Sequence, residues 1–187
     1  MVDSETRWRL VRKLRQRPET DSEQVLVRPA GEADLPAIRD IYNFFIQNTV
    51  ITFDDKVLDL GYWQERFELL QKHSLPFLVI ARGSEVLGFA FVAPWRMRTG
   101  YLKIVENSIY LAPAATGKKL GEKLFLALLD ACREVGIREV IAVIADRGAH
   151  ASIALHKKHG FVEQGHLANV AVRFGKPIGS HLMALKL

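Results

Sequence analysis

The fold turns on the stretch Ser108–Val135, SIYLAPAATGKKLGEKLFLALLDACREV. Ile109, Tyr110 and Leu111 end a β-rich run, Pro113 stops it, and Thr116 to Gly121 forms a loop. From about Leu120 to Val135 a helix follows, with Leu124, Leu128, Ala131, Cys132 and Val135 on its inward stripe. A strand that delivers the chain into a glycine-containing loop and then a helix creates an anion site, because unpaired N–H groups and the helix dipole both point at the loop. Gly117 and Gly121 let the backbone approach a phosphate closely, and Lys118 and Lys119 add charge. Glycines and lysines are common before helices, so the meaning of this loop depends on its surroundings. Cys132 reads as an inert core thiol.

Upstream, Val25 and Val27 mark a short strand, and a helix from about Glu32 to Asn48 carries Leu35, Ile38, Ile41, Tyr42, Phe45 and Ile46 on one stripe. Thr49 to Lys56 is a loop, and a second helix near Leu58 to Gln71 places Leu60, Trp63, Phe67 and Leu70 at helical spacing. Pro76–Ala81 and Val86–Ala93 are β-rich runs joined by Arg82-Gly83-Ser84-Glu85, which is hairpin chemistry. A third run, Leu102 to Leu111, is interrupted by Glu106, Asn107 and Ser108, and this interruption predicts a bulge. Downstream, Val140–Ala145 is a continuous apolar run suited to a strand covered on both faces. Ala151–His159 is a short helix closed by Gly160, and Phe161–Ala168 and Ser180–Leu187 are further strands.

At 187 residues, with 49% hydrophobic and 25% charged, the chain fits one globular domain. A lone cysteine excludes an internal disulfide framework, favours a reducing, cytoplasmic setting and, with no metal-ligand spacing, suggests no metal site. No apolar run reaches the ~18 residues of a membrane span. The net charge of +5 fits an anionic partner; without RNA-binding aromatics, zinc-finger spacing or a helix-turn-helix, a phosphate-bearing cofactor explains it better than nucleic acid does. Residues 1–23 read as a charged N-terminal extension, with Arg7, Arg9, Arg12, Lys13, Arg15 and Arg17 before Pro18. Trp8, Val11 and Leu14 recur every third residue, which suits either a short amphipathic helix or a loosely ordered leader.

Val27-Arg28-Pro29-Ala30, Pro94-Trp95-Arg96-Met97-Arg98, Val105-Glu106-Asn107-Ser108-Ile109-Tyr110, Ala151-Ser152-Ile153-Ala154-Leu155-His156, His159-Gly160-Phe161 and Arg173-Phe174-Gly175 follow one another in order. In this series the chain, over residues 24–187, resembles the GNAT N-acetyltransferase superfamily, and within it the phosphinothricin and methionine sulfoximine acetyltransferase group. The resemblance implies an α+β fold: a mixed, mainly antiparallel sheet of about seven strands, splayed at its middle and flanked by about four helices. It implies acetyl-CoA as cosubstrate, with pantetheine in the splay and pyrophosphate on the loop before Leu120. Ile109, Tyr110, Leu111, Thr116, Gly117, Lys118, Lys119, Gly121, Glu122 and Ser152 are then its expected contacts. Glu106 matches the carboxylate that takes a proton from the acceptor amine, and His156 a position near the departing sulfur. Phe53, Arg96, Arg98 and Tyr101 match the acceptor side, where arginines suit a carboxylate or phosphinate. A small amine or amino acid is the expected substrate and a homodimer the expected assembly.

Chemistry independently requires a base, because an ammonium group cannot attack a thioester until it loses a proton; a carboxylate whose pKa is raised by burial can take it. Three departures from the pattern stand beside this. Thr116 and Lys119 replace the usual first residue and first glycine of the phosphate loop, Ala149 replaces an asparagine, and Pro177–Gly179 replaces a tryptophan and an acid. They leave open an alternative, an acetyltransferase-like domain with weakened CoA binding that acts as a non-catalytic or regulatory module.

Overall fold

The computed structural model describes residues 24–187; the charged extension lies outside the described residues. The strands are β1 (Val25–Pro29), β2 (Phe77–Arg82), β3 (Glu85–Pro94), β4 (Ile104–Leu111), β5 (Glu139–Ala145), β6 (Val162–Arg173) and β7 (Lys176–Lys186). The helices are α1 (Leu35–Asn48), α2 (Leu60–Lys72), α3 (Leu120–Glu134) and α4 (His150–Lys158). All seven strands form one sheet in the order β1-β2-β3-β4-β5-β7-β6. Every neighbouring pair is antiparallel except β4 with β5.

That parallel pair is short. It joins Ile104 to Glu139, Val105 to Val140 and Glu106 to Ile141, and then the strands part. Beyond the parting β4 stays with β3 as far as Leu111 opposite Gly88, and β5 stays with β7 as far as Ala145 opposite Ser180. The expected splay is present, whereas the expected bulge at Glu106–Ser108 is not. The β3–β4 register runs unbroken from Val105 to Leu111. Polar side chains in this strand need no extra residue, because alternation sends them to opposite faces and the parting of β5 gives them room. Register shifts occur instead at Ile80/Ala81 and within β6.

The first helix also begins later than its pattern suggests. Glu32–Asp34 is a 3-10 turn, with Asp34 held by Arg28 at 2.6 and 2.8 Å and by the Gly31 N–H at 2.8 Å, so that α1 starts at Leu35. At the far end, β6 and β7 are longer than expected and close on a two-residue turn, Phe174-Gly175, both with positive φ (48° and 72°). Their alternation is obscured in the sequence because β6 is an edge strand with exposed apolar residues.

Paired residues on antiparallel strands share a sheet face. One face, with Phe77, Val79, Phe89 and Phe91, packs under α1 and α2 around the fully buried Trp63. The other, with Ile80, Ala90, Val92, Val105 and Val140, packs under α3 through Leu124, Phe125, Leu128 and Cys132. Burial pushes the Cys132 thiol up to about 12, which keeps it protonated and inert. Gly88 sets how closely β3 and β4 approach: a Cβ there would lie 2.4 Å from a Leu111 methyl and 2.7 Å from the Tyr110 carbonyl oxygen.

Candidate active site

The parting of β4 and β5 opens a cavity of about 260 Å3. Glu106 through Tyr110 line one wall, Ala142 through Ala145 the opposite one, and Phe53 and Asp54 from the α1–α2 loop lie across it. Glu106 pairs with Ala93 and Tyr110 with Phe89, so both side chains share the aromatic face beneath α1 and α2. Burial raises the Glu106 carboxyl above its ordinary range, while the positive charges of Arg66 and Arg96 oppose the rise. Tyr110, beside it, is raised to about 12, mainly by burial. Tyr42 from α1 contacts Thr52 Oγ1 at 2.9 Å and donates to the Asp54 carboxylate, which fastens the α1–α2 loop over the cavity.

Asn107 points to the other face and meets α4. Its Nδ2 lies 3.0 Å from His156 Nε2, and His156 Nδ1 lies 2.7 Å from the Ser152 carbonyl oxygen. Only a donor can face that carbonyl, so Nδ1 carries the proton and Nε2 accepts from Asn107. Desolvation lowers the His156 pKa to about 4, and the ring is neutral with both nitrogens engaged. Asn107 Oδ1 is buried in the cavity wall and has no partner among the described residues.

The loop before α3 keeps a left-handed backbone at both Gly117 and Lys119 despite its substitutions. Gly117 has φ +76°, with no atom within 4 Å of where a Cβ would stand. Lys119 adopts φ 59°, ψ 9° as the helix N-cap, a left-handed conformation that glycine reaches without steric cost and lysine does not. The position therefore keeps a glycine's backbone while carrying a lysine side chain. Lys118 Nζ bonds the Ala114 carbonyl at 3.2 Å, and Thr116 Oγ1 bonds the Pro113 carbonyl at 2.8 Å. Gly121, in the first turn of α3, lies against Leu111, where a Cβ would be 3.4 Å from a methyl.

Not every expected residue gathers here. Arg96, Arg98 and Tyr101 line a neighbouring groove with Met97 and Leu102, outside the cavity; Arg96 stacks 4.7 Å over Trp95 and reaches Glu106 only by its charge. Glu122, expected at the cofactor, gives its carboxylate to Lys158 at 2.6 Å and His159 at 2.9 Å, and so ties α3 to α4. Leu111 packs against the helix rather than into the cavity, whereas Ile109, Tyr110 and Ser152 line it. Sequence reasoning missed Arg66, Thr52, Asp54 and Asn107 as site residues. Asn107 stood inside a quoted motif and Thr52-Phe53-Asp54 inside a polar loop, but Arg66 had no signal beyond being a charge beside the buried Phe67.

A splayed mixed sheet, a buried carboxylate at the parting and a phosphate-type loop before α3 are now together. The model of the acetyltransferase (GNAT) family matches residues 37–161. The chain belongs to the GNAT acetyltransferase family. It is 35% identical over 157 residues to a phosphinothricin N-acetyltransferase of Alcaligenes faecalis, covering 84% of this chain and 80% of that protein. It is 36% identical over 162 residues to an L-methionine sulfoximine/L-methionine sulfone acetyltransferase of Pseudomonas paraeruginosa, covering 86% and 94%. An acetyltransferase from Salmonella typhimurium, solved with acetyl-CoA, superposes with a TM-score of 0.84 at 34% identity, covering 88% of this chain and 94% of that one. The GNAT chain is thus an N-acetyltransferase with acetyl-CoA as cosubstrate, and these relatives favour the catalytic reading over the non-catalytic module.

The residues present fit that cosubstrate. The room at Gly117, the N–H groups of the first turn of α3 and the unpartnered Asn107 Oδ1 offer places for phosphate and amide groups. Among the described residues no helix is long and apolar enough to cross a membrane, and no cluster of His, Cys, Asp and Glu is arranged to hold a metal.

Proposed function

We propose that this GNAT enzyme moves an acetyl group from acetyl-CoA to the primary amine of a small amino acid or analogue, of the phosphinothricin or methionine sulfoximine type, by direct attack in a ternary complex. The observation that carries the reading is Glu106, buried where β4 and β5 part with its carboxyl raised above the ordinary range. Bound acetyl-CoA supplies an activated thioester carbon. Glu106 accepts a proton from the acceptor ammonium, directly or through one water, which frees the nitrogen lone pair. Past Glu106, the β4 backbone edge facing β5 has no strand partner, so its N–H groups on the Ser108–Leu111 segment are available to the negative charge that develops on the thioester oxygen. As the new N–C bond forms and the C–S bond breaks, the nitrogen gives up its second proton, which passes directly or through water to the departing thiolate.

Gly117, Lys118, Lys119 and the first turn of α3 hold the pyrophosphate, and Asn107 Oδ1 accepts from an amide of the pantetheine arm. His156, expected near the sulfur, is better suited to holding Asn107 than to donating a proton, because neither ring nitrogen is free. Phe53 borders the acceptor, and Arg96, with Arg98 and Tyr101 beyond it, faces the acceptor's carboxylate from the adjoining groove. The exposed edge strand β6, with Val162, Val170 and Val172 outward, supports pairing with a second copy in a homodimer, which sedimentation checks. A single buried thiol supports a cytoplasmic setting, and phosphate binding accounts for the basic surplus without nucleic acid.

A thiol-release assay with acetyl-CoA against amino acids that include phosphinothricin and methionine sulfone tests the reading. Release above the hydrolysis background with at least one of them is the expected result. No release with any member of the panel overturns it.

A further inference from the structure

Arg66 lies in the second turn of α2, one residue before the buried Phe67. Its guanidinium carbon stands 5.3 Å from the Tyr62 ring centroid and 5.7 Å from that of Phe91, and its Nη2 donates to the Tyr62 hydroxyl. Phe91 pairs with Ser108 and Ala93 with Glu106, so Phe91 and Glu106 share one sheet face and the guanidinium is held over that face. An aromatic shelf and one hydrogen bond fix it there, with most of its five N–H donors left over. Among the described residues it pairs with no carboxylate; the ion pairs found engage other arginines, lysines and histidines.

Arg66 over Phe91 and Arg96 in the β3–β4 connection thus both lie toward the sheet face that carries Glu106, near enough for their charges to oppose the rise of its carboxyl pKa without an ion pair. One carboxylate cannot neutralise both. Once Glu106 has accepted the ammonium proton it is neutral, and the acceptor's α-carboxylate, held by Arg96, leaves Arg66 free for an anion at the end of the side chain. Held planar and partly shielded from water, that second guanidinium matches a forked anionic end group.

We infer that Arg66 determines acceptor specificity, selecting amino acids whose side chain ends in an anion, such as a phosphinate, phosphonate or carboxylate, over neutral analogues of similar shape. The inference rests on the amino-acid acetyltransferase reading given above. Arg66→Met keeps an apolar stem on the Tyr62–Phe91 shelf and removes only the charge and the donors. Steady-state kcat/KM is measured with phosphinothricin, which carries an anionic end group, and with methionine sulfone, which does not. The expected result is a fall of about ten- to a hundredfold in the ratio of kcat/KM for phosphinothricin to that for methionine sulfone, the scale of one charge-assisted pair, on top of whatever common loss the changed surroundings of Glu106 impose on both acceptors. Arg66→Lys, which restores the charge without the fork, is expected to recover part of the phosphinothricin rate. Turnover of methionine sulfone also reports that the variant is folded. A ratio between the two acceptors that Arg66→Met leaves unchanged, whether both rates fall together or neither falls, overturns the role of Arg66 alone. A wild-type enzyme that acetylates neither compound overturns this inference, and one that acetylates no member of the amino-acid panel overturns the amino-acid reading as well.

Discussion

The two faces of β4 handle burial in opposite ways. On the face beneath α1 and α2, Glu106 and Tyr110 lie among rings: Tyr110 sits 5.4 Å from Phe89 and 4.9 Å from Tyr42. On the face toward α3 and α4, Asn107 meets His156, whose ring edges Phe125 at 4.7 Å and Phe161 at 4.8 Å. Desolvation favours the uncharged form on both sides, which raises the acid Glu106 and lowers the base His156. The difference lies in the neighbouring charges. Arg66 and Arg96 temper the shift of Glu106 and keep it able to ionise, whereas His159 deepens the shift of His156 and no anion opposes it. One face thus keeps a proton-exchanging group in play, and the other fixes a neutral scaffold for a ligand.

The largest effect expected from testing this contrast is at Glu106. Glu106→Gln should lower kcat by roughly a hundred- to ten-thousandfold, the scale of general-base catalysis, while acetyl-CoA affinity measured by calorimetry stays within about threefold. A comparable loss of affinity would show that the two faces are not separate. Because the base works only when ionised and its pKa is raised, the acid limb of kcat/KM against pH should lie above the ordinary glutamate range of about 4.3. Loss of either arginine would move that limb to still higher pH.

The opposite face should show itself in stability rather than rate. The folded His156 pKa, about 4, is below its unfolded value, so the folded state binds fewer protons in between. Its contribution is present above about pH 6.5 and is lost as pH falls toward 4, roughly 3 kcal/mol at about 1.4 kcal/mol per unit. Thermal midpoints of the wild type and of His156→Phe across that window measure it. The variant should be less stable at pH 7, with Asn107 Nδ2 unpaired, and should lose this histidine's part of the pH slope. The smallest effect is at Lys119, where glycine relieves a left-handed lysine. Lys119→Gly should raise stability by about 1 kcal/mol in urea unfolding, reduced by the entropy glycine adds to the unfolded chain. A destabilised variant would mean that the lysine side chain holds the loop.

Much of the molecule was legible from local pattern. Leu124, Leu128 and Cys132 recur at a period that can bury only one face of a helix, and the Arg82–Glu85 turn can hardly do other than fold β2 onto β3. The loop at Gly117 was also readable as a candidate anion site, because a strand, a glycine-bearing loop and a helix follow one another in sequence, whereas Glu106 was singled out by the resemblance of its segment to the family and not by local pattern. The interruption at Glu106–Ser108 was visible but misread as a bulge, since a run of residues shows where polarity falls and not which neighbouring strand departs.

Strand periods, helix stripes and turn residues are local properties of the chain, and they determined the element order, the core-facing residues of the helices and the place of the glycine-bearing loop before α3. The parting of β5 from β4, the neutral state of His156 and the convergence of Arg66 with Arg96 on Glu106 depend on segments far apart in sequence. Desolvation and Coulomb forces act through space rather than along the chain, so only the packed sheet and its helices could decide which carboxylate is buried and which charges reach it.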